Sequence, residues 1–215
     1  MAERHVGMKS RRDRWNQRYA ATELVWSAGP NRFLEQEVSG LAPGRALDLA
    51  CGEGRNAIWL AEQGWHVTAV DFSDVAIDKG RAIAKRRDVE VDWIVADAAE
   101  YEPCSGFDLV AILYLHTGPE EREQWMRHAR EAVADGGLLL YIGHDLTNIE
   151  HGVGGPQHPE VLPTPQDVAG MLPGFEIERG EVVERHVEGE PGHPGQRKGI
   201  ARDALVRARK LRPTS

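Results

Sequence analysis

The chain has 215 residues, of which 41% are hydrophobic and 28% charged, with a net charge of −8 at pH 7. This length and composition predict one globular domain with a substantial core. The negative charge argues against nucleic acid held through its phosphates. No apolar run approaches the ~20 residues of a membrane helix, and the N-terminus lacks an apolar signal-peptide core.

The chain contains two cysteines, Cys51 and Cys104, which form neither a metal-binding nor a disulfide framework. Five histidines, at positions 144, 151, 158, 186 and 193, do not match the spacing of a known metal-ligand motif. We therefore expect a cytoplasmic protein without a metal, whose partners include neither nucleic acid nor a membrane. The sequence leaves the oligomeric state open.

The first forty residues predict two helices, over 14–19 and 31–41, joined by a turn at Gly29-Pro30. Lysine and arginine are concentrated in the first twenty residues. This segment is either a solvated amphipathic start of the chain or a lid that faces an anionic group.

Strands and helices alternate from residue 45 onward. The apolar runs predict strands over 45–50, 65–71, 89–96, 107–115 and 138–142, with helices over 55–63, 73–87 and 119–134 between them. Asp135-Gly136-Gly137 is predicted to end the third of these helices, and Thr164 to begin a further one through a capping box. Strands over 176–187 and 202–210, around a loop rich in glycine and proline, predict an antiparallel hairpin.

This order predicts an α/β fold, a doubly wound Rossmann-like sheet of seven mostly parallel strands. A C-terminal antiparallel hairpin and an N-terminal helical lid complete it. We expect a single domain over 1–215, with the lid at 1–41, a ligand-binding core at 42–145, and a substrate-side loop and edge hairpin at 146–215.

A glycine turn follows the first strand, in the stretch Ala-Leu-Asp-Leu-Ala-Cys-Gly-Glu-Gly at residues 46–54. Gly52 and Gly54 allow a sharp bend and a close approach of a ligand to the backbone. Dinucleotides use such a turn to place a pyrophosphate on the helix that follows. Asp48 and Glu53 would repel a pyrophosphate, whereas they suit S-adenosylmethionine, which has no phosphate and carries a net positive charge.

Acidic residues end the next two predicted strands, where ligands of open α/β sheets bind. Asp71 can accept both hydroxyls of a ribose, and Phe72 can lie against an adenine. Asp97 can accept a hydrogen bond from the adenine amino group, while the backbone of Ala98 donates to a ring nitrogen. One such aspartate is often only a turn residue, but three in register, at 48, 71 and 97, are much less often accidental.

These motifs together resemble the class I S-adenosylmethionine-dependent methyltransferases. The resemblance rests on the glycine turn, on Val-Thr-Ala-Val-Asp-Phe-Ser at 67–73, on Val-Ala-Asp-Ala at 95–98 and on Asp-Gly-Gly at 135–137. The longer stretch Gly-Glu-Gly-Arg-Asn-Ala-Ile-Trp-Leu-Ala at 52–61, with Trp15-Asn-Gln-Arg-Tyr19 and Trp26 upstream, resembles the tellurite-resistance and thiopurine branch. The resemblance covers roughly residues 14–145.

The resemblance implies how the cofactor S-adenosylmethionine would lie. Gly52 and Gly54 would pass under its methionine part, Asp48 would lie near the amino group, and the Leu113 carbonyl would accept from the ammonium. Asp71 would contact the ribose, and Phe72, Asp97 and Ala98 would contact the adenine. Arg18 and Trp26 would close over the cofactor. Asn56 would line the pocket, and Arg55 would either line it too or be solvated.

Methyl transfer from a sulfonium is an in-line displacement that mainly requires alignment and exclusion of water. Oxygen and nitrogen acceptors more often need a general base than soft acceptors do. His116, after the fourth strand, is the candidate base or substrate-orienting residue, and Tyr19 is a second candidate catalytic residue. His144 and Asp145 could form a pair, but adjacent side chains of a strand diverge.

We therefore expect a methyltransferase that acts on a small molecule, with thiols, selenium compounds and metalloids among the candidate acceptors. A nicotinamide-dependent oxidoreductase and a non-catalytic cofactor-binding protein of the same fold are the alternatives. The glycine-rich segment 151–158 is either a mobile lid over the substrate or a surface loop.

Overall fold

The computed structural model describes residues 2–22, 24, 29–187 and 198–213, with side chains described from Arg11 onward. In chain order the helices are α1 (Ala2–Ala20), α2 (Arg32–Val38), α3 (Arg55–Glu62), α4 (Asp74–Arg86), α5 (Pro119–Ala132), α6 (Asn148–His151) and α7 (Pro165–Gly170), with a 3-10 turn at Pro159–Val161. The strands are β1 (Arg45–Leu49), β2 (His66–Asp71), β3 (Asp92–Val95), β4 (Phe107–Leu113), β5 (Val133–His144), β6 (Phe175–Val187) and β7 (Gly199–Lys210).

The strands form one seven-stranded sheet in the order β3-β2-β1-β4-β5-β7-β6. Strands β1 to β5 pair in parallel, and β7 runs antiparallel to both β5 and β6. The strand order reverses between β1 and β4, so a crevice opens there at the carboxyl ends of the strands. The predicted Rossmann-like sheet with its C-terminal hairpin is confirmed.

The central strand β4 is buried on both faces, as its continuous apolar run predicts. Leu109 and Ala111 pack on one side with α2 and α3 residues, while Val110 and Ile112 pack on the other side with α5. None of these four side chains is more than 1% exposed. The sheet is therefore a rigid base from which the strand ends project into the crevice.

The structure differs from the predicted elements in several places; α2, for example, ends at Val38 rather than at residue 41, and α6 was not predicted. Helix α1 begins at Ala2 rather than at residue 14, and β3 is confined to Asp92–Val95. Helix α5 ends at Ala132, before the Asp-Gly-Gly motif, which lies within β5 at a shift in the β4–β5 register. Gly137 is needed there because a Cβ would lie 2.9 Å from the Phe107 carbonyl oxygen.

The glycine-rich segment after α6 is held against β7. Val153 N donates to the Ile200 carbonyl at 3.0 Å, and Asn148 Nδ2 donates to the Gly154 carbonyl at 2.9 Å. Arg202 N in turn donates to Asn148 Oδ1 at 2.7 Å. These bonds fix Val153 and Gly154 against β7.

The predicted capping box of α7 is confirmed, since Thr164 and Asp167 bond each other's backbone N–H. Most of the predicted loop between β6 and β7, residues 188–197, lies outside the described residues. None of the described helices combines the length and apolarity needed to cross a membrane.

Candidate functional site

A pocket of about 280 Å³ lies at the carboxyl ends of β1, β2 and β4, with α1 over its mouth. It brings together most of the side chains that the sequence predicts as site residues. Those that line it are Tyr19, Gly52, Asn56, Asp71, Phe72, Asp97, Ala98, Leu113 and His116.

The two glycines of the glycine turn have different roles in the structure. Gly52, at φ +57°, lines the pocket and donates its N–H to Asp71 Oδ2 at 2.9 Å. Gly54, at φ +76°, begins α3 outside the pocket lining, and a Cβ there would lie 2.2 Å from the Trp93 ring. Gly54 therefore makes room for Trp93, and Gly52 is the one of the two glycines that lines the pocket.

Asp48 lies beneath the turn rather than in the pocket wall, and it is 1% exposed. Burial raises the pKa of Asp48 to about 7, against a hydrogen bond from the Ala57 backbone and with a smaller contribution from Asp71. Its Oδ2 has no hydrogen-bond partner. A buried carboxylate oxygen without a partner is costly, so a donor that reached it, directly or through water, would be stabilised.

Glu53 faces away from the pocket, although its charge suggested a role in excluding a pyrophosphate. Its carboxylate is 2% exposed and lies 3.2 Å from Lys79 Nζ. Lys79 also donates to the carbonyls of Tyr19 and Thr22, at the end of α1. Glu53 and Lys79 therefore connect the end of α1 to the glycine turn, and Glu53 is not part of the pocket lining.

Asp71 and Asp97 lie at the pocket wall, where their strands end. The Asp71 carboxylate accepts from Ser73 N at 2.8 Å and from Gly52 N at 2.9 Å. Burial nevertheless raises the pKa of Asp71 to about 6. Asp97 Oδ1 accepts from Ala99 N at 2.9 Å, which leaves its Oδ2 for a partner from outside the loop.

That partner is Arg11, which reaches over the pocket from α1. Its guanidinium donates to Asp97 at 2.9 Å, pairs with Glu121 at 2.7 Å and lies 5.2 Å from the centre of the Phe72 ring. Arg18, the predicted closing arginine, is not in the pocket lining and lies instead over the ring of Trp15 at 5.0 Å.

Sequence reasoning missed Arg11 because the predicted helix began at residue 14. In a helix that begins earlier, positions 11, 15 and 19 follow each other at intervals of four and share one face. Trp15 and Tyr19 do line the pocket together with Arg11. Trp26, the other predicted closing residue, lies outside the described residues.

His116 lines the pocket, but both of its ring nitrogens face the backbone. Its Nε2 accepts from His144 N at 3.1 Å, and the ring also bonds the backbone of Tyr114. Burial and the neighbouring His144 lower the pKa of His116 to about 3. This geometry does not offer His116 as a general base.

His144 has an aspartate partner, although not the one beside it in sequence. Its Nδ1 lies 3.1 Å from Asp203 Oδ1, and its ring stacks on His116 with centroids 5.4 Å apart. Asp145 points elsewhere, as expected for adjacent strand residues, and accepts from Thr147 N at 2.8 Å.

The C-terminal hairpin supplies two residues that the sequence did not indicate, Asp203 and Arg185. Asp203 Oδ2 accepts from the Tyr114 hydroxyl and from Arg185 Nε, each at 2.7 Å. Both terminal strands carry many charged residues, so charge in the sequence did not single out these two. Among the residues that the structure describes, no group of three or more His, Cys, Asp or Glu side chains could hold a metal ion.

Comparison with known proteins agrees with this geometry. A family model described as "Methyltransferase domain" matches residues 46–137. The thiopurine S-methyltransferase of Azotobacter vinelandii is 30% identical over 169 residues, which cover 67% of this chain and 75% of that protein. A relative from Geobacillus sp. (strain WCH70) is 33% identical over 112 residues, which are 50% of this chain but only 45% of the relative.

Among solved structures, TehB from Haemophilus influenzae superposes with a TM-score of 0.71 at 16% sequence identity, over 84% of this chain and 62% of that one. At this identity the likeness concerns the fold, a sheet of alternating strands and helices with its ligand crevice at the strand ends. The chain belongs to the class I S-adenosylmethionine-dependent methyltransferases, and it resembles their thiopurine and tellurite-resistance branch. Its cofactor is S-adenosylmethionine, so the oxidoreductase alternative is set aside.

Proposed function

We propose that the adenosine part of S-adenosylmethionine lies between the ends of β2 and β3. Asp71 presents both carboxylate oxygens at the pocket wall and suits two ribose hydroxyls, while Phe72 offers a ring face to adenine. Asp97 suits the adenine amino group, with the backbone of Ala98 beside it. The contact between Arg11 and Asp97 supports α1 as the lid over this end of the pocket.

The methionine part then lies toward Gly52, Asn56 and Leu113. The left-handed backbone of Gly52 leaves space that a Cβ would reduce. The unpartnered oxygen of Asp48 beneath the turn supports a positively charged group above it. The hydrogen-bond acceptors of this pocket therefore fit a ligand with an ammonium and two ribose hydroxyls.

The methyl acceptor, in our proposal, is a small, flat and largely apolar molecule with a soft nucleophile such as a thiol. The acceptor end of the pocket is lined by Trp15, Tyr19, Tyr114, Leu115 and Pro156. The rings of Trp15 and Tyr19 lie 5.6 Å apart with a tilt of 30°. Flat aromatic walls favour an aromatic acceptor, and the name of the thiopurine S-methyltransferase relative supports a sulfur nucleophile.

The observation that carries this proposal is that the described acceptor wall presents no free base. His116 uses its Nε2 on a backbone N–H, and Tyr114 donates its hydroxyl to Asp203. An acceptor that is already an anion near neutral pH needs no such base, as is true of acidic aromatic thiols. His116 then acts as a wall that orients the acceptor, and Tyr19 as a contact from the lid.

In the reaction, S-adenosylmethionine supplies an electrophilic methyl group on a sulfonium. The pocket residues align the acceptor sulfur with it, and the closed α1 excludes water. Tyr19 and His116 hold the acceptor from opposite elements of the fold. These roles support the proposed division of the chain into a lid at 1–41, a core at 42–145 and a substrate-side part at 146–215.

Initial rates with two acceptors of similar acidity, thiophenol and 4-nitrophenol, test the proposal, because both are anions at pH 8 and differ in the nucleophilic atom. We expect methylation of the thiol and at least about tenfold slower methylation of the phenol. Equal rates would contradict the preference for a soft nucleophile. Binding of S-adenosylhomocysteine without turnover of any thiol would instead favour the non-catalytic alternative.

A further inference from the structure

We propose that Asp203, from the C-terminal hairpin, is a positioning residue that holds Tyr114 and, through it, the end of β4 at the methionine side of the pocket. The inference rests on the proposed placement of the methionine part beside Leu113. It gives the hairpin, which carries no recognisable motif, a part in cofactor binding.

Asp203 stands at the centre of a buried polar cluster. It is 0% exposed and lies opposite His144 in the β5–β7 register. One carboxylate oxygen accepts from Tyr114 and Arg185, and the other lies 3.1 Å from His144 Nδ1. Arg185 also lies 5.3 Å from the centre of the Tyr114 ring, so the cluster encloses that side chain from two directions.

Tyr114 needs such support because its backbone is strained. Its φ is +56°, in the left-handed region that side chains with a Cβ rarely adopt. Its N–H donates to the Ile142 carbonyl at 2.7 Å, its hydroxyl donates to Asp203 at 2.7 Å, and the same hydroxyl accepts a longer bond of 3.4 Å from Asn31 Nδ2. Without the short bond to Asp203, we expect the backbone to relax toward the favoured region.

That relaxation would reach the cofactor side directly. The Leu113 carbonyl belongs to the same peptide plane as the Tyr114 N–H, so a change in φ at Tyr114 turns this carbonyl relative to the pocket. Leu113 and Tyr114 both line the pocket. A carbonyl that accepts a hydrogen bond from an ammonium must keep one orientation. Asp203 fixes this orientation through its hydrogen bond with Tyr114.

A carboxylate suits this position better than an amide. Burial raises the pKa of Asp203, but His144 and Arg185 outweigh burial and keep it below its usual value, so the group is charged near neutral pH. An asparagine has a single, uncharged acceptor oxygen, so it would hold the Tyr114 hydroxyl and Arg185 more weakly than the carboxylate does. Asp203→Asn should therefore loosen Tyr114 while it keeps the volume of the side chain.

The test compares Asp203→Asn, Tyr114→Phe and the double variant, with Asp145→Asn as the matched control. Asp145 is another buried acid at the same edge of the sheet, but it bonds Thr147 and not Tyr114. Calorimetry with S-adenosylhomocysteine should show about tenfold weaker binding for each single variant and no further loss in the double variant, as expected for residues acting through one contact. The control should stay within about twofold of the parent chain.

A spectroscopic readout separates positioning from a general loss of stability. The ¹³Cζ resonance of Tyr114, assigned by its disappearance in Tyr114→Phe, should move in Asp203→Asn and not in Asp145→Asn. If Asp203→Asn fails to fold, Tyr114→Phe decides the question, because it removes only the hydroxyl.

Wild-type affinity of Tyr114→Phe, or full additivity of the two substitutions, would overturn the inference. Asp71→Ala distinguishes its failure from that of the proposed cofactor placement. If Asp71→Ala weakens binding while Tyr114→Phe does not, only the role of Asp203 is lost. If neither variant weakens binding, the placement of the cofactor itself is wrong.

Discussion

Replacing Asp71 by alanine tests the proposed cofactor placement most directly. The carboxylate is 5% exposed and is fixed by backbone N–H groups of Gly52 and Ser73, so it is already oriented before a ribose reaches it. Hydrogen bonds to a charged acceptor each contribute about 1.5–3 kcal/mol. Because water partly replaces the two lost bonds, we expect a net loss of about 1.5–3 kcal/mol, which is roughly tenfold to a hundredfold in affinity.

The assay is calorimetric titration with S-adenosylhomocysteine at pH 8, where an aspartate whose pKa is raised to about 6 is ionised. Asp92→Ala is the matched control, because Asp92 is exposed and begins β3 at the opposite end of the neighbouring strand. Unfolding in urea shows whether Asp71→Ala remains folded. An unchanged affinity in a folded Asp71→Ala protein would refute the assignment of the ribose to this carboxylate.

Three further predictions concern the same pocket. The affinity for S-adenosylhomocysteine should fall as the pH is lowered from 8 to 5. Burial raises the pKa of Asp71 to about 6 and the pKa of Asp48 to about 7, and only the ionised carboxylates suit the ligand. Calorimetry at pH 6 in two buffers should therefore show that protons are released on binding. Arg11→Ala should speed release of S-adenosylhomocysteine about threefold to tenfold in stopped-flow measurements, because α1 loses its part-exposed ion pairs across the pocket mouth. Gly54→Ala should lower the free energy of unfolding by about 2–4 kcal/mol in urea, because its left-handed backbone disfavours a Cβ and that Cβ meets Trp93.

Each of these predictions has an outcome that would contradict it. An affinity that stays constant between pH 5 and 8 would mean that neither carboxyl changes its protonation on binding. The variant Glu121→Gln loses only one of the two contacts of Arg11. If S-adenosylhomocysteine leaves Arg11→Ala no faster than it leaves Glu121→Gln, Arg11 does not help to close the pocket. Gly40→Ala carries the left-handed penalty alone, since nothing lies within 4 Å of a Cβ there, so equal costs for the two glycine variants would remove Trp93 from the explanation.

The sequence identified many of the residues that line the pocket, and the reason is geometric. In a parallel sheet the strand ends meet at one edge, so Asp71 and Asp97 could be placed there from the apolar runs that precede them. The charge of Glu53 was used to argue against a pyrophosphate, and in the structure this carboxylate pairs with Lys79 outside the pocket lining. The direction of a side chain in a tight turn depends on φ and ψ at each residue, which composition and spacing do not specify.

The lid shows a different kind of failure. The basic residues before residue 20 indicated a closing segment, but the arginine chosen from the family resemblance was Arg18. Arg11 instead contacts Asp97 and Glu121, because α1 begins far enough upstream to bring it over the pocket. A weakly amphipathic helix start carries little signal in the sequence, so its boundary, and with it the choice of arginine, needed the packed structure.

By itself the sequence determined the alternating fold, the class of enzyme and the position of Asp71 and Asp97 at one pocket wall, because these follow from local hydrophobic periodicity and from residues at strand ends. Only the tertiary structure brought together the buried cluster of Tyr114, His144, Asp203 and Arg185, which come from four separate strands or strand ends. Contacts between residues up to 89 positions apart depend on which strands pair and in what register. That pairing is a property of the whole sheet, so no local pattern in the chain could reveal it.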